Sequence, residues 1–483
     1  MRSPVLYLCL LASTFLLSSF QVKENPGAST PTPPNVIFIL ADDLGYGDLG
    51  FLGQQHMLTP ALDRLASQGM RFSQHYSGAP VCAPSRSTLL TGLHTGHTPI
   101  RGNFEIQPEG QYPMPDTLLT LGKIFQQAGY RTAAFGKWGL GFVGTTGDPS
   151  NQGFDHFFGY NCQRYAHRYY PAYLWENQQQ VPLPGNDWST KTTFAPDLIH
   201  QKSLEFMEAN QHQPFFLFLP LVMPHAELAV PEDETFQYYR TKFGEETPHT
   251  APPREDYGPE MLIPGYQSQP YPRATFAAMV ARIDRYVGDI MRKLEALGIS
   301  ENTLVIFTSD NGAHQEGGAD PLFFDSNGPF RGFKRDLYEG GIHVPLVAHW
   351  PGKIKSGSQS SYVAAFWDWL PTLAEAIGAA SPAGIDGISF LPTLLNAGQQ
   401  QLPDHLYWEF HESGGRQALR KGDWKLVKYQ VQDASKTTLE LFDLANDPAE
   451  QTNVALDHPA LVAELEGIMQ KAHRPNPIFR QLD

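Results

Sequence analysis

Cysteine is nearly absent: the 483 residues hold three, and Cys9 lies inside the apolar N-terminal run. Cys82 and Cys162 alone supply no disulfide framework, so stability has to come from packing and from bound metal. Positive charge is short as well, with 35 Lys and Arg against 50 Asp and Glu and a formal net charge of -15. That balance gives a nucleic-acid partner no general electrostatic support, and an anionic ligand would need a local basic pocket. Long apolar runs are missing beyond the segment Val5 to Leu17, which follows Met1-Arg2 and precedes Ser18-Ser19 and a polar, Pro-rich stretch to Pro34. This order predicts a secretory signal over residues 1–22 and a linker over 23–34. The run is short for a membrane span and no second one follows, so the expectation is a secreted or periplasmic protein with no stable span after signal removal. Cys9 lacks the small residues expected before a lipidated cysteine. Internal repeats and long low-complexity tracts are missing too.

What is present is an alternation of helical and β-branched apolar segments. Asn35 to Leu40 reads as a buried strand that ends in Ala41-Asp42-Asp43. Thr117 to Ala128 reads as a helix leading to the strand Arg131 to Phe135 and then Gly136-Lys137-Trp138. Leu198 to Ala209 leads likewise to Pro214 to Leu219 and Pro224-His225, and Ala277 to Leu297 leads to Thr303 to Thr308 and Ser309-Asp310-Asn311-Gly312. The fold class expected is α/β, a large, mixed, mostly parallel sheet sandwiched by helices. Four of its strand ends carry residues capable of chemistry, at the edge where open α/β sheets place their sites. The segment Val230 to Pro272 is Pro-rich and reads as a long excursion able to rim a cleft. After about Pro392 the texture changes to short alternating strands, Leu406 to Phe410, Gln417 to Arg420, Trp424 to Tyr429 and Leu439 to Asp443, followed by a helix from Pro459 to Ala472. The expected division is therefore a catalytic domain over 35–395 and a small antiparallel α+β subdomain over 396–483.

The run from Cys82 to Gly92, Cys-Ala-Pro-Ser-Arg-Ser-Thr-Leu-Leu-Thr-Gly, is the most informative in the chain. A free cysteine is most often a small buried hydrophobe. Here Arg86 stands four residues on, so a helical start returns its guanidinium to the face of Cys82. Ser85, Ser87 and Thr88 add hydroxyls at what reads as a helix N-terminus, a natural anion site. Asp42 and Asp43 at one strand end, with Asp310 and Asn311 at another, offer oxygen ligands only, a set suited to Ca²⁺ or Mg²⁺ rather than zinc.

On these residues the chain resembles the type I sulfatases, of the alkaline phosphatase superfamily, whose Cys-x-Pro-Ser-Arg-x-x-x-Leu-Thr-Gly pattern it matches at every fixed position. The resemblance implies that a maturation enzyme oxidises Cys82 to formylglycine, whose hydrated aldehyde supplies the attacking oxygen. It implies that Asp42, Asp43, Asp310 and Asn311 hold Ca²⁺ (or Mg²⁺), which also meets modified Cys82. Lys137 and Lys334 match the two lysines that contact sulfate, and His225 the histidine near the leaving oxygen. Arg86 is the signature arginine, and Asp310 would help remove the nucleophile's proton. Two positions depart from the pattern: His343 stands where Arg is more usual, and Gly139 stands where many sulfatases have His. Either the role of that histidine is lost or another group enters its space, and His167 is the candidate. Trp175, Tyr169, Tyr170, Trp408 and His411 would suit a carbohydrate cleft, or pack as core. The leading expectation is an exported sulfatase acting on sulfated polysaccharide or glycosaminoglycan fragments. A phosphonate monoester or phosphodiester hydrolase of the same superfamily and a non-catalytic sulfoglycan-binding protein are the alternatives.

Overall fold

The strand Asn35–Asp42 is buried along its whole length because it lies at the centre of a ten-stranded sheet with apolar layers on both faces. Alternate residues separate cleanly: Ile37, Ile39 and Ala41 enter one core, and Val36, Phe38 and Leu40 enter the other. A strand that needs both faces apolar reads as an unbroken hydrophobic run, as it does in the sequence. The computed structural model describes residues 1, 33–107, 110–187, 190–251, 266–480 and 482. The expected signal and most of the linker lie outside the described residues. Among the described residues no helix is long and apolar enough to cross a membrane.

Across the sheet the order is Ser358–Ser360, Met70–Phe72, Leu346–His349, Thr303–Ser309, Asn35–Asp42, Phe215–Pro224, Arg131–Lys137, His156–Tyr160, Tyr173–Glu176 and Gln179–Pro182. The five central strands, from Thr303–Ser309 to His156–Tyr160, are mutually parallel, and antiparallel pairs flank them on both sides. Register aligns Ala41 with Ser309 and Asp42 with Pro224. The residues that follow these strands, together with Lys137 on the next one, therefore share a single edge. The mixed, mostly parallel α/β architecture is the expected one.

Helix starts differ from expectation where proline sets them. The long helix begins at Pro272, not Ala277, and another at Ala195 with Pro196 in its first turn; the fixed φ of proline suits a first turn that lacks N–H partners anyway. The helix expected over Thr117 to Ala128 is confined to Leu121–Gln127, with the Thr120 side chain accepting from the Lys123 N–H at its start. The excursion after Val230 contains a helix of its own, Glu234–Phe243, capped by Asp233.

The C-terminal strands Leu406–Phe410, Arg416–Lys421, Trp424–Tyr429 and Thr438–Asp443 form an antiparallel sheet, covered by the helix Pro459–Ala472. Residues Pro33–Asp483 make one compact unit. The joint between the two sheets is polar and buried: Lys425 Nζ donates to Glu339 Oε1 at 2.8 Å, and His343 Nδ1 lies 2.9 Å from Glu339 Oε2. His343, with its other nitrogen 2.9 Å from the Ser73 carbonyl, is thus part of this joint. Trp408 belongs to the same seam, fully buried against Tyr76 and Trp367, with its indole N–H on the Ser77 carbonyl. Of the two expectations for Trp408, carbohydrate cleft or core, that burial selects the core. Tyr169 is likewise a core residue, buried with its hydroxyl 2.7 Å from the His225 carbonyl, and His411 is buried against Glu409.

Candidate active site

Cys82 opens the helix Cys82–Thr91, which ends at Gly92 with φ +70 and the Gly92 N–H on the Thr88 carbonyl. This left-handed stop is the kind glycine takes without steric cost. The helix start is tied down by Asn103 Oδ1, which accepts from the Ala83 N–H at 3.2 Å, and by Ser85 Oγ, which donates to the Asp310 carbonyl at 2.6 Å. The i, i+4 expectation holds: Arg86 lies under Cys82, with its Nη2 2.9 Å from Asp310 Oδ2 and 3.1 Å from Asp42 Oδ2, and it also donates to the Lys137 carbonyl. One guanidinium fork thereby joins three strand ends.

Around Cys82 Sγ stand Asp42 Oδ1 at 3.3 Å and Lys137 Nζ at 3.5 Å, and that ammonium also donates to Asp42 Oδ2 at 2.6 Å. Burial pushes the thiol well above its usual range, and the Asp42 charge pushes it further. A buried thiol beside a carboxylate is inert as a nucleophile at neutral pH. Burial also pushes the Asp42 carboxyl up, but Lys137, Arg86 and Lys334 outweigh it and hold the group below the carboxylate range. Asp310 goes the other way, raised by burial and by the Asp42 charge.

Asp43 adopts φ +62, a left-handed conformation that Asp tolerates better than bulkier residues. Its N–H donates to Asp310 Oδ1 at 3.1 Å, and its own carboxylate accepts from Asn311 Nδ2 at 2.7 Å and from Lys334 Nζ at 2.7 Å. Asn311 Oδ1 is buried and has no hydrogen-bond partner among the described residues. Three carboxylates and an orphaned carbonyl oxygen fit a hard cation such as Ca²⁺ or Mg²⁺, which takes oxygen ligands. An unpaired buried oxygen is costly without such a partner.

Lys334 Nζ meets His225 Nε2 at 2.9 Å and Glu316 Oε2 at 3.3 Å. His225 Nδ1 is hydrogen-bonded to the Ala226 carbonyl, which places its proton there and leaves Nε2 as acceptor from Lys334. Burial, then Lys334 and Lys137, hold this imidazole well below its usual range. His167 stacks on His225 with ring centroids 4.4 Å apart. The space beside Gly139 is filled by Gln163: a Cβ at this φ +74 glycine would lie 2.6 Å from Gln163 Cγ. Every sequence-selected residue, Cys82, Arg86, Lys137, His225, Lys334, His167, Asp42, Asp43, Asp310 and Asn311, enters this one network of contacts.

Sequence reasoning missed His314, Glu316 and Tyr266. Tyr266 donates to Glu316 Oε2 at 2.9 Å, and Arg335 pairs with Glu316 Oε1 at 2.5 Å. The available signal was proximity, since His314 and Glu316 follow Asp310-Asn311 within six residues.

The family model described as Sulfatase matches residues 34–379. The chain belongs to the sulfatase family. It is thereby a sulfuric ester hydrolase, and a second model, described as N-sulphoglucosamine sulphohydrolase, C-terminal, matches residues 328–474 of this sulfatase. The sulfatase is 32% identical to N-acetylgalactosamine-6-sulfatase of Canis lupus familiaris over 79% of this chain and 69% of that one. It is 31% identical to arylsulfatase A of Homo sapiens over 89% and 84% of the two chains. Among solved structures, Ps i-CgsB in complex with k-i-k-neocarrahexaose is similar with a TM-score of 0.74 and 26% identity, covering 91% of this chain and 92% of that one.

The stacking of His167 on His225 carries a prediction for the sulfatase. His167→Ala is expected to lower kcat about 10-fold or more by letting the His225 ring shift, with KM little changed. Steady-state kinetics on one sulfate ester checks this, and an unchanged kcat overturns it.

Proposed function

We propose that this chain is an exported sulfatase that hydrolyses sulfate esters on carbohydrates, using formylglycine made from Cys82 by a maturation enzyme and a Ca²⁺ ion, with Mg²⁺ as the other candidate. The observation that carries this reading is the convergence of Asp42 and Lys137 on the buried Cys82 thiol, with Arg86 bonded to Asp42 and with Asp43, Asp310 and Asn311 beside them. The substrate class is supported by a relative named N-acetylgalactosamine-6-sulfatase and by a similar structure that holds a neocarrahexaose. The chain's apolar N-terminal run supports export.

Asp42, Asp43, Asp310 and Asn311 would hold the cation, which supplies charge neutralisation for the bound sulfate. Formylglycine at position 82 would supply, as its hydrate, a nucleophilic hydroxyl for sulfur and a second hydroxyl for the release of sulfate. Lys137, held against the Cys82 side chain by Asp42, stabilises the charge that develops on the sulfuryl oxygens. Asp310, held as a carboxylate by Arg86, would accept the proton of the attacking hydroxyl. Arg86 fixes that carboxylate and Asp42 in one orientation. On the opposite side, breakage of the sulfur–oxygen bond leaves its electron pair on the departing oxygen. The Lys334–His225 pair supplies the proton, from the ammonium directly or through Nε2.

One observation favours a second reading, a sulfoglycan-binding protein without turnover: Gly139 and Gln163 replace the family histidine. The deciding experiment is the mass of the tryptic peptide Phe72 to Arg86 from natively exported protein, followed by turnover of a sulfate ester and a phosphate diester on the same preparation. An aldehyde with sulfate release supports the proposal. An intact thiol, or glycan binding without release despite conversion, moves the binding reading forward, and preferential cleavage of the diester points to the phosphoesterase branch. Removing the cation with a chelator is expected to lower turnover on the order of 100-fold, with recovery on adding Ca²⁺. Ca²⁺ at about 100 times its Kd is also expected to stabilise the stripped protein by about 2.7 kcal/mol. Calorimetry reads that stabilisation without any turnover, and failure of both responses overturns the metal assignment.

A further inference from the structure

We propose that Glu316 is a positioning residue for departure of the alcohol, acting through Lys334 and anchored by His314. This rests on the sulfatase reading above, in which Lys334 and His225 serve the leaving oxygen.

An ammonium has three N–H donors, and Lys334 Nζ has three acceptors around it: Asp43 Oδ2 at 2.7 Å, His225 Nε2 at 2.9 Å and Glu316 Oε2 at 3.3 Å. Asp43 is also a proposed cation ligand, and His225 meets Lys334 through a ring nitrogen rather than a carboxylate. Glu316 is therefore the carboxylate that holds Lys334 on the leaving-group side independently of the cation. The carboxylate is itself held from three directions, by Lys334, by Arg335 at 2.5 Å and by the Tyr266 hydroxyl at 2.9 Å. A group restrained in this way positions its partner, whereas an isolated exposed ion pair contributes little.

The loop that carries Glu316 is tied to both leaving-group residues through its backbone and His314. The Lys334 N–H donates to the Ala313 carbonyl at 2.8 Å. His314 Nδ1 accepts from the Glu316 N–H at 3.2 Å, which puts the imidazole proton on Nε2, 3.1 Å from the carbonyl of Pro224, the residue before His225. One stretch, Ala313 to Glu316, thus sets the position of Lys334 and of His225 together. Its hydrogen bonds and ion pairs run to Lys334, Arg335, Tyr266 and the Pro224 carbonyl, on the leaving-group side of the site. Its loss should weaken protonation of the leaving oxygen and spare attack on sulfur.

Leaving-group dependence separates such a role from a merely structural one, because a good leaving group departs without a proton and a sugar alkoxide does not. The test measures kcat and KM of Glu316→Gln on 4-nitrophenyl sulfate, phenyl sulfate and a sugar 6-sulfate, with the melting temperature alongside. The expected result is a kcat within about 3-fold of wild type on the nitrophenyl ester and roughly 100-fold lower on the sugar ester, with phenyl sulfate between them. Tyr266→Phe removes one donor from the carboxylate and keeps every charge; it is expected to show the same ordering at about 2- to 5-fold on the sugar ester. An equal loss on all three esters in both variants overturns the inference and leaves the sulfatase reading standing. Converted wild-type protein that cleaves none of the three overturns the sulfatase reading and this inference with it.

Discussion

Replacing Cys82 by alanine is expected to take sulfate release down to background, a loss on the order of 10⁶-fold, as for removal of other covalent nucleophiles. The protein itself should change little. Sγ is a single buried atom whose polar partners among the described residues are Asp42 Oδ1 and Lys137 Nζ, and that ammonium is already bonded to the other Asp42 oxygen, Oδ2, at 2.6 Å. The expected stability cost is about 1 kcal/mol, in the ordinary range for a point substitution. The measurement pairs turnover of an aryl sulfate with a denaturation midpoint on the same preparation. Turnover above about 1% of wild type with an intact fold would mean that another group attacks sulfur, and the assignment of Cys82 would fall.

Arg86→Leu is expected to fail on both counts. The guanidinium is buried between Asp42 and Asp310, and removing one member of a buried ion-pair cluster leaves the others uncompensated, at about 3–5 kcal/mol. Turnover should drop by roughly 1,000-fold as well, because the two carboxylates lose the group that orients them. Arg86→Lys keeps the charge and loses the fork that reaches Asp42, Asp310 and the Lys137 carbonyl together, so it should recover part of the stability and little of the rate. Urea denaturation and kinetics across the two variants check this; wild-type stability in Arg86→Leu would contradict the buried network.

Much of this site was legible because it lies at strand ends. Asp42 and Asp43 follow the six-residue apolar run Val36 to Ala41, and Asp310 and Asn311 follow a strand built on the shorter run Leu304 to Phe307; a parallel sheet then brings such ends to one edge whatever their separation in sequence. Arg86 was legible from helical spacing alone. Glu316 and His314 were not, since they occupy a loop without periodicity and matter only because Lys334 returns to them from another direction. For Trp408 and Tyr169 the choice between cleft and core stayed open in the sequence because an aromatic residue carries the same composition signal in both; their burial depends on Tyr76, Trp367 and the His225 loop, far away in sequence. The early starts at Pro272 and Ala195 were hidden by prolines that look like loop residues until placed in a first turn.

The contact between Asp43 and Lys334 spans 291 residues, and Cys82, in the same network, is almost entirely inaccessible in the finished fold. This sets a timetable. The thiol is synthesised early, and Lys334, which completes the network, arrives about 250 residues later. On the formylglycine reading proposed above, an enzyme that modifies this thiol would have to reach it in that interval or before the completed chain has collapsed. Folding and modification would then compete for the same thiol, and a chain that closed too soon would be locked, correctly shaped, in an unconverted form.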